Sequence, residues 1–497
     1  MLASPEGRAN IFVGLALLLA GAWGLRPALQ GVHHIWSDKY GHFSHGYLVL
    51  AMALWLAWSS WREGPPVPTR PAWPVLSVLG VLVVAMGASH AMSINTITES
   101  LLPCVLLAAI CSAYGWSVGR KYFWPVCFVY AALPVWWLIN TPLQQLTAFV
   151  SNLLVHWTGV PAFVQGNSFH LPAGTVEIAA GCSGLAYLNA AFALALFQSL
   201  QYLRSWRYRL KLLAAAVLLA LAFNWLRVYS LIVIAYATDM QHYLIRVDHL
   251  TYGWILFAFC IWPVFWYGVR LERRQEAAPE AASAAGIPAG GSSGTWQATV
   301  LAGAAVAALL LVPAMLQLAL ARGSARIPAA HQMEAGSRDN WLQVADALLA
   351  GAEETQLVAT VAGQPVWVYR ALDRSGAVSR DWPVTGRDLL GSQWQAGSGA
   401  PLAGQAAGVD YQQEQGSMRD TDMLLRSGLR VGGISVTGNL ERKLALLKGI
   451  WRLRQDALLW MAITPCNPDC AAASARLDEW TVGSSNLFEA TEAQAAK

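Results

Sequence analysis

The stretch Glu177-Ile-Ala-Ala-Gly-Cys-Ser-Gly-Leu185 sets one cysteine, Cys182, between glycines where a polar loop becomes the apolar run Leu185–Tyr202. A run of that length approaches the roughly 20 residues a helix needs to cross a bilayer. A helix starting at Leu185 would aim its first free N–H groups and its positive dipole end at the sulfur, a setting that favours the thiolate. Small neighbours, Gly181, Ser183 and Gly184, leave room beside the thiol for another backbone.

Comparable runs recur on both sides. Asn10–Trp23, Gly46–Trp58, Trp73–Met92, Leu101–Trp116, Tyr122–Ile139, Leu210–Ala237, Thr251–Val269 and Ala298–Ala321 join Leu185–Tyr202 as nine candidate spans. The first is preceded by Arg8 and has a signal-peptide look, but the apolar segments that follow favour an uncleaved span. Leu146–Trp157 is apolar and short, ahead of Pro161, and reads as an interfacial or re-entrant piece. Composition agrees: of 497 residues 56% are hydrophobic and 12% charged, with a mean hydropathy of +0.40. A soluble domain carries about 25% charged residues. The 24 tryptophans suit rings anchored at membrane interfaces, so lipid is an expected partner. A net charge of +4 without a basic-aromatic patch argues against nucleic acid. Seven scattered cysteines form neither a disulfide framework nor zinc spacing, so no metal and no cofactor are expected.

Orientation follows from the positive-inside rule. With a cytoplasmic N-terminus the inner segments hold Arg8; Arg62 and Arg70; Arg120 and Lys121; Arg204, Arg207, Arg209 and Lys211; then Arg270, Arg273 and Arg274. The outer loops hold only Arg26, Lys39 and Arg246. The expected fold class is an all-α polytopic membrane protein of eight or nine transmembrane helices with a C-terminal soluble α+β domain. Its boundaries are read as 1–271 for the membrane domain and 272–297 for a flexible cytoplasmic linker rich in Ala, Gly, Ser and Pro. A further transmembrane helix follows over 298–321, then an outer domain over 322–497. Within that domain Gln356–Val361 and Val366–Tyr369 read as strands and Leu440–Trp460 as helical.

In this orientation Cys182 opens the sixth span and His249 the eighth, both at the outer face. Arg227 lies about 10 residues, roughly 15 Å, below the outer end of the seventh span. An arginine inside a span costs several kcal/mol unless it pairs or reaches water, so Arg227 is a functional candidate. Its fixed donors suit an oxyanion developing on a carbonyl, and the alternative is a structural or snorkelling arginine. Asn224 shares its helix face. His249, at a helix start, favours the neutral imidazole that accepts a thiol proton; His242 and His170, also in outer loops, compete with it. His45, in Ser-His-Gly-Tyr-Leu-Val, begins the second span on the same face and is a candidate lining residue. Glu177, the only acidic residue between Asn140 and Gly181, either orients the histidine or is solvated. Cys104, Cys111, Cys127 and Cys260 sit inside apolar runs and read as small buried hydrophobes. Cys466 and Cys470, in Cys-Asn-Pro-Asp-Cys, make a plausible short-loop disulfide in an oxidising compartment.

Three motifs together resemble the exosortase/archaeosortase family: Gly-Cys-Ser-Gly-Leu at 181–185, Asn-x-x-Arg-Val at 224–228 and His-x-x-x-Gly-Trp at 249–254. Ser-His-Gly-Tyr-Leu-Val at 44–49 and Gly-Asn at 166–167 resemble the family's weaker upstream signatures, so the likeness covers roughly residues 10–270. The resemblance implies a multi-pass enzyme of the bacterial inner membrane, a cysteine protease or transpeptidase working on the periplasmic side. Cys182 would be the nucleophile, with Arg227 and His249 as its catalytic partners. Implied substrates are exported proteins with a C-terminal sorting signal such as Pro-Glu-Pro, a transmembrane helix and a basic cluster, with a link to exopolysaccharide or envelope biogenesis. Residues 322–497 more weakly resemble the periplasmic domain associated with exosortases. Two other readings stay open: a transporter or polysaccharide polymerase component whose Arg227 binds an anionic substrate, and a membrane scaffold whose outer domain binds partners.

Overall fold

The computed structural model describes residues 5–38, 41–64, 70–246, 249–276, 296–323, 353–373, 390, 394–397, 401–406, 409–418, 421–451 and 456–483. The chain divides into two compact units, Met1–Met86 with Asn95–Leu311, and Gly87–Ile94 with Val312–Lys497.

Apolar sequence without strand-length punctuation makes the first unit helical. Its first half holds α1 (Pro5–Gly24), α2 (Arg26–Ser37), α3 (Gly46–Arg62), α4 (Trp73–Ala91), α5 (Asn95–Ser100), α6 (Leu102–Tyr114), α7 (Trp116–Phe128) and α8 (Asn140–Trp157). A three-stranded antiparallel meander follows: β1 (Phe163–Gln165), β2 (Ser168–Leu171) and β3 (Gly174–Glu177). Then come α9 (Leu185–Tyr202), α10 (Trp206–Ala237), α11 (Tyr243–Arg246), α12 (His249–Glu276) and α13 (Trp296–Gly323).

Among the described residues six helical stretches are long and apolar enough to cross a membrane, and up to eight if each bent pair counts as one span. The six are Trp73–Ala91, Asn95–Tyr114, Ala180–Tyr202, Trp206–Ala237, Thr251–Glu276 and Trp296–Leu320. One bent pair joins α1 to α2 at 70°, where Pro27 opens α2. The other joins Trp116–Ala132 to Pro134–Trp157 at 49°, since Pro134 cannot continue the helix before it. The expected Gly46–Trp58 span corresponds to α3, which has 17 residues and a length of about 26 Å.

Between Asn140 and Gly181 lie α8, whose later part is the expected interfacial or re-entrant piece Leu146–Trp157, and the meander. Gly166 and Asn167 make the two-residue turn between β1 and β2, with Gly166 at φ +61°, the position a hairpin turn gives to glycine. The expected linker start at 272 lies inside α12, which continues to Glu276 because Leu271 is buried and Gln275 Oε1 accepts from Arg204 and Ser205 N–H at 2.8 and 2.9 Å. Residues 277–295 of that linker lie outside the described residues, and its last two residues already belong to α13. At the other end, α13 packs on α1: Val306 and Leu310 share a core with Val13 and Ala20, and a Cβ on Gly24 would collide with the Leu310 carbonyl.

The second unit carries an antiparallel sheet of eight strands. These are β4 (Glu353–Val361), β5 (Gln364–Asp373), β6 (Gln395–Ala396), β7 (Leu402–Ala406), β8 (Val409–Met418), β9 (Thr421–Val431), β10 (Ile434–Val436) and β11 (Ala457–Pro465). The order is β4-β5-β11-β9-β8-β6, with β10 on β9 and β7 on β8. Helix α14 (Asn439–Trp451) sets Ala445 and Leu446 against Leu459, Met461 and Leu425 on one face. On the other, α15 (Cys470–Gly483) packs Ala473, Leu477 and Trp480 on Trp460 and Leu424. The helix expected over Leu440–Trp460 therefore stops at Trp451, and Trp460 is central in a strand. That strand is buried on both faces, so its sequence lacks the alternation that would distinguish it from a helix. A disulfide joins Cys466 to Cys470 between β11 and α15.

Candidate active site

The loop carrying Cys182 begins where β3 ends. Ile178 is buried, and its N–H donates to the Asn167 carbonyl at 2.9 Å. A 3-10 turn over Ala180–Cys182 follows, its last N–H bonded to the Ala179 carbonyl at 2.8 Å. Ser183 is fully buried; its Oγ donates to Asn140 Oδ1 at 2.6 Å and accepts from the Leu185 N–H at 3.2 Å, closing the first turn of α9. Ser183 therefore braces the loop rather than lining a space for substrate. Gly184 caps α9 at φ +92°, and a Cβ there would lie 2.7 Å from Asn224 Nδ2. Both its conformation and its close approach to α10 call for glycine. Half-buried Cys182 packs against the apolar cluster that includes Phe169, Ile178 and Val228, while a Cβ on its exposed neighbour Gly181 would meet nothing within 4 Å.

Helix α10 passes directly behind this loop. Asn224, 1% exposed, donates from Nδ2 to the Cys182 carbonyl at 3.2 Å. Arg227, one turn on and 5% exposed, lies with its guanidinium 5.7 Å from the ring centre of Tyr187 on α9. Tyr187 stacks in turn on Phe257 of α12 at 5.3 Å. Helix α12 closes against the pair through Gly253, where a Cβ would fall onto the Tyr187 hydroxyl and within 2.9 Å of Arg227 Nε. Tyr252 and Ser230 join α12 to α10 by a 2.7 Å hydroxyl contact, and Ser230 Oγ donates to the Arg227 carbonyl at 2.8 Å. His249 opens α12 one turn before Gly253; its side chain lies outside the described residues.

The other expected residues fall in different places. His45 caps the start of α3, with Nε2 at 3.3 Å from the Ala131 carbonyl. It lines a cavity of about 660 Å³ with Tyr47, Met52, Ala193, Trp254 and Phe257, so Phe257 links that cavity to the Tyr187–Arg227 pair. Glu177 is exposed at the end of β3. His170 pairs with Thr175 at 3.0 Å and stacks on Phe163, while His242 accepts from the Leu244 N–H at 3.2 Å; both are exposed. Cys111 and Cys260 are buried, and Cys104 contacts the Tyr130 hydroxyl at 3.1 Å. Among the described residues no group of three or more His, Cys, Asp or Glu is placed to hold a metal ion.

Sequence reasoning named the later part of α8, Leu146–Trp157, as an interfacial or re-entrant piece, and missed the role of its polar residues. Asn140, Gln144 and Thr147, spaced i, i+4 and i+7, all face the cysteine loop. That polar stripe is visible in the sequence, but α8 carries other polar residues as well and nothing in it says which partner the stripe meets.

Residues 36–266 match the family model described as transmembrane exosortase (Exosortase_EpsH). The matched interval contains Cys182, Arg227 and His249 and stops before α13. No curated protein and no solved structure matches the chain.

Proposed function

Because residues 36–266 belong to the transmembrane exosortase family, we propose that this sorting-type membrane enzyme is a cysteine peptidase or transpeptidase with Cys182 as its nucleophile. The observation that carries the reading is the meeting of three helix segments. The loop before α9 is tied through the Cys182 carbonyl to Asn224; Arg227 follows one turn later; the first turns of α12 close on Arg227 through Gly253.

A thiol of pKa about 8.5 is only a few per cent ionised at pH 7, so attack needs a base. His249 takes the proton from Cys182, and the thiolate adds to a peptide carbonyl of the substrate. Arg227 donates to the oxyanion as it forms. On collapse the C–N bond breaks, the proton on His249 passes to the departing amine, and the acyl group remains as a thioester. Water, or an amine or hydroxyl acceptor, then attacks the thioester and Cys182 regains its proton.

The substrate we assign is an exported protein with a C-terminal Pro-Glu-Pro-type signal followed by a transmembrane helix. The distribution of basic residues supports a cytoplasmic N-terminus in the bacterial inner membrane, with Cys182 and residues 322–497 on the periplasmic side. The disulfide between Cys466 and Cys470 agrees with an oxidising compartment.

The test is co-expression of the full chain with a tagged reporter bearing such a tail. Wild type should shorten the reporter and Cys182→Ala should not. Shortening by both would remove Cys182 as nucleophile, and mass spectrometry of the new C-terminus would separate hydrolysis from transfer.

A further inference from the structure

Non-helical backbone inside a membrane protein needs protein donors for its carbonyls, because lipid supplies none and each unsatisfied group costs several kcal/mol. The loop from Ile178 to Gly184 meets that need from the side. The Ile178 carbonyl accepts from Gln144 Nε2 at 2.7 Å, the Cys182 carbonyl from Asn224 at 3.2 Å, and the Ser183 carbonyl from Thr147 Oγ1 at 3.1 Å. Asn140 receives the Ser183 hydroxyl. Thr147, with no exposed surface, is the hub: its Oγ1 also accepts from Asn224 Nδ2 at 3.4 Å.

We propose that α8 is the positioning element for the nucleophile, a clamp in which Gln144 and Thr147 hold the backbone on both sides of Cys182 and Asn140 holds the Ser183 hydroxyl. The proposal rests on the peptidase reading for its consequence and on the hydrogen bonds alone for its geometry. From α8 the clamp fixes the main chain at residues 178 and 183, while Asn224 of α10 holds the carbonyl of Cys182. None of the three side chains touches the reacting atoms; they act by keeping the sulfur in register with Arg227 and the first turn of α12. Displacing a reacting group by about 1 Å costs on the order of 100-fold in rate. Loss of the clamp should therefore appear in kcat rather than in KM.

Thr147→Val removes the hydroxyl and keeps the shape, whereas Thr147→Ser keeps the hydroxyl. In the full chain Thr147→Val should lower kcat for reporter processing about tenfold or more, with KM changed less than about threefold and Thr147→Ser close to wild type. Maleimide labelling of Cys182, read by mass spectrometry of its peptide, should move the opposite way and speed up as the loop loosens. Buried Cys260 should stay unlabelled, reporting an intact fold. If Cys260 becomes reactive in Thr147→Val, Gln144→Met, which removes only the donor to Ile178, takes its place with the same expectation. Wild-type kcat with unchanged Cys182 labelling overturns the clamp, as does a Thr147→Ser enzyme as poor as Thr147→Val. If even the wild-type chain leaves the reporter intact, the labelling arm still decides. Faster Cys182 labelling in the variant then sustains the clamp while the peptidase reading falls, and unchanged labelling overturns the clamp as well.

Discussion

An arginine that is 5% exposed within a 32-residue apolar helix has to be compensated by its surroundings. For Arg227 part of that compensation is the Tyr187 ring beneath its guanidinium and the close approach that Gly253 permits. If Arg227 meets the developing oxyanion, Arg227→Ala should lower processing by about 10²- to 10³-fold, measured as kcat on the reporter. Arg227→Lys should restore little, since a point charge does not reproduce the planar fork. The glycines can be tested separately from the charges. Gly184→Ala forces a side chain into φ +92° and against Asn224, so it should destabilise the loop by about 1 kcal/mol or more and slow processing. Gly253→Ala leaves helical backbone unstrained but pushes Tyr187 and Arg227 aside. It should lose processing at least about tenfold and lower stability by about 1–3 kcal/mol, read in a thermal melt.

Elements carry the next set of effects. In the sheet unit Arg426 of β9 is 1% exposed and bonds Gln413, Ser474 and Asp478, with its guanidinium 4.2 Å from the Tyr411 ring centre. It fastens α15 to the sheet. Arg426→Ala should therefore cost about 1–2 kcal/mol, because the half-buried Gln413 and Ser474 lose their donor, the solvent-screened bond to exposed Asp478 adding little. Hydrogen exchange along β9 and α15 in the full chain would show the loss as local deprotection. At the start of α14, Glu441 accepts from the Thr437 N–H at 2.9 Å and from its hydroxyl at 2.7 Å. The backbone bond and then the hydroxyl bond hold the Glu441 carboxyl below its ordinary pKa. A depressed pKa stabilises the folded state above the unfolded value of about 4.3, and that contribution is lost as pH falls through the folded value. Carbon-13 signals of glutamate carboxyls, assigned by difference against Glu441→Gln, should show Glu441 titrating below the other exposed glutamates. Thr437→Ala should bring it only part of the way back up, since the backbone N–H bond remains.

At the scale of the whole molecule, the family match ends at residue 266, yet the compact membrane unit runs on to Leu311. The reason is α13, whose Val306 and Leu310 are buried with Val13 and Ala20 of α1. A chain stopped after Gly323 should keep slow labelling of buried Cys111, one turn before the Tyr114 that bonds the Asn10 carbonyl of α1, whereas one stopped after Glu276 should label faster there because α1 has lost its neighbour. Equal labelling in the two would mean that α13 adds nothing to the unit's stability.

Membrane residence, the run of apolar helices and the three polar motifs were legible from the chain alone. Long apolar runs and an intramembrane arginine have no soluble explanation at this charge content. Cys182, Asn224 and Arg227 were nameable because each stands out against its own segment, and the structure brings Asn224 onto the Cys182 backbone. Two kinds of feature had to wait for tertiary structure. A strand buried on both faces, such as Ala457–Pro465, has no period to read, and only pairing with β5 and β9 identifies it. The partners of polar side chains also depend on contacts remote in sequence. Thr147 and Ser183 are 36 residues apart, and Asn224 reaches Thr147 across 77. A stripe such as Asn140–Gln144–Thr147 announces that it must bond something, because an apolar surrounding penalises it otherwise. Which backbone it bonds is decided only when α8, the cysteine loop and α10 pack together.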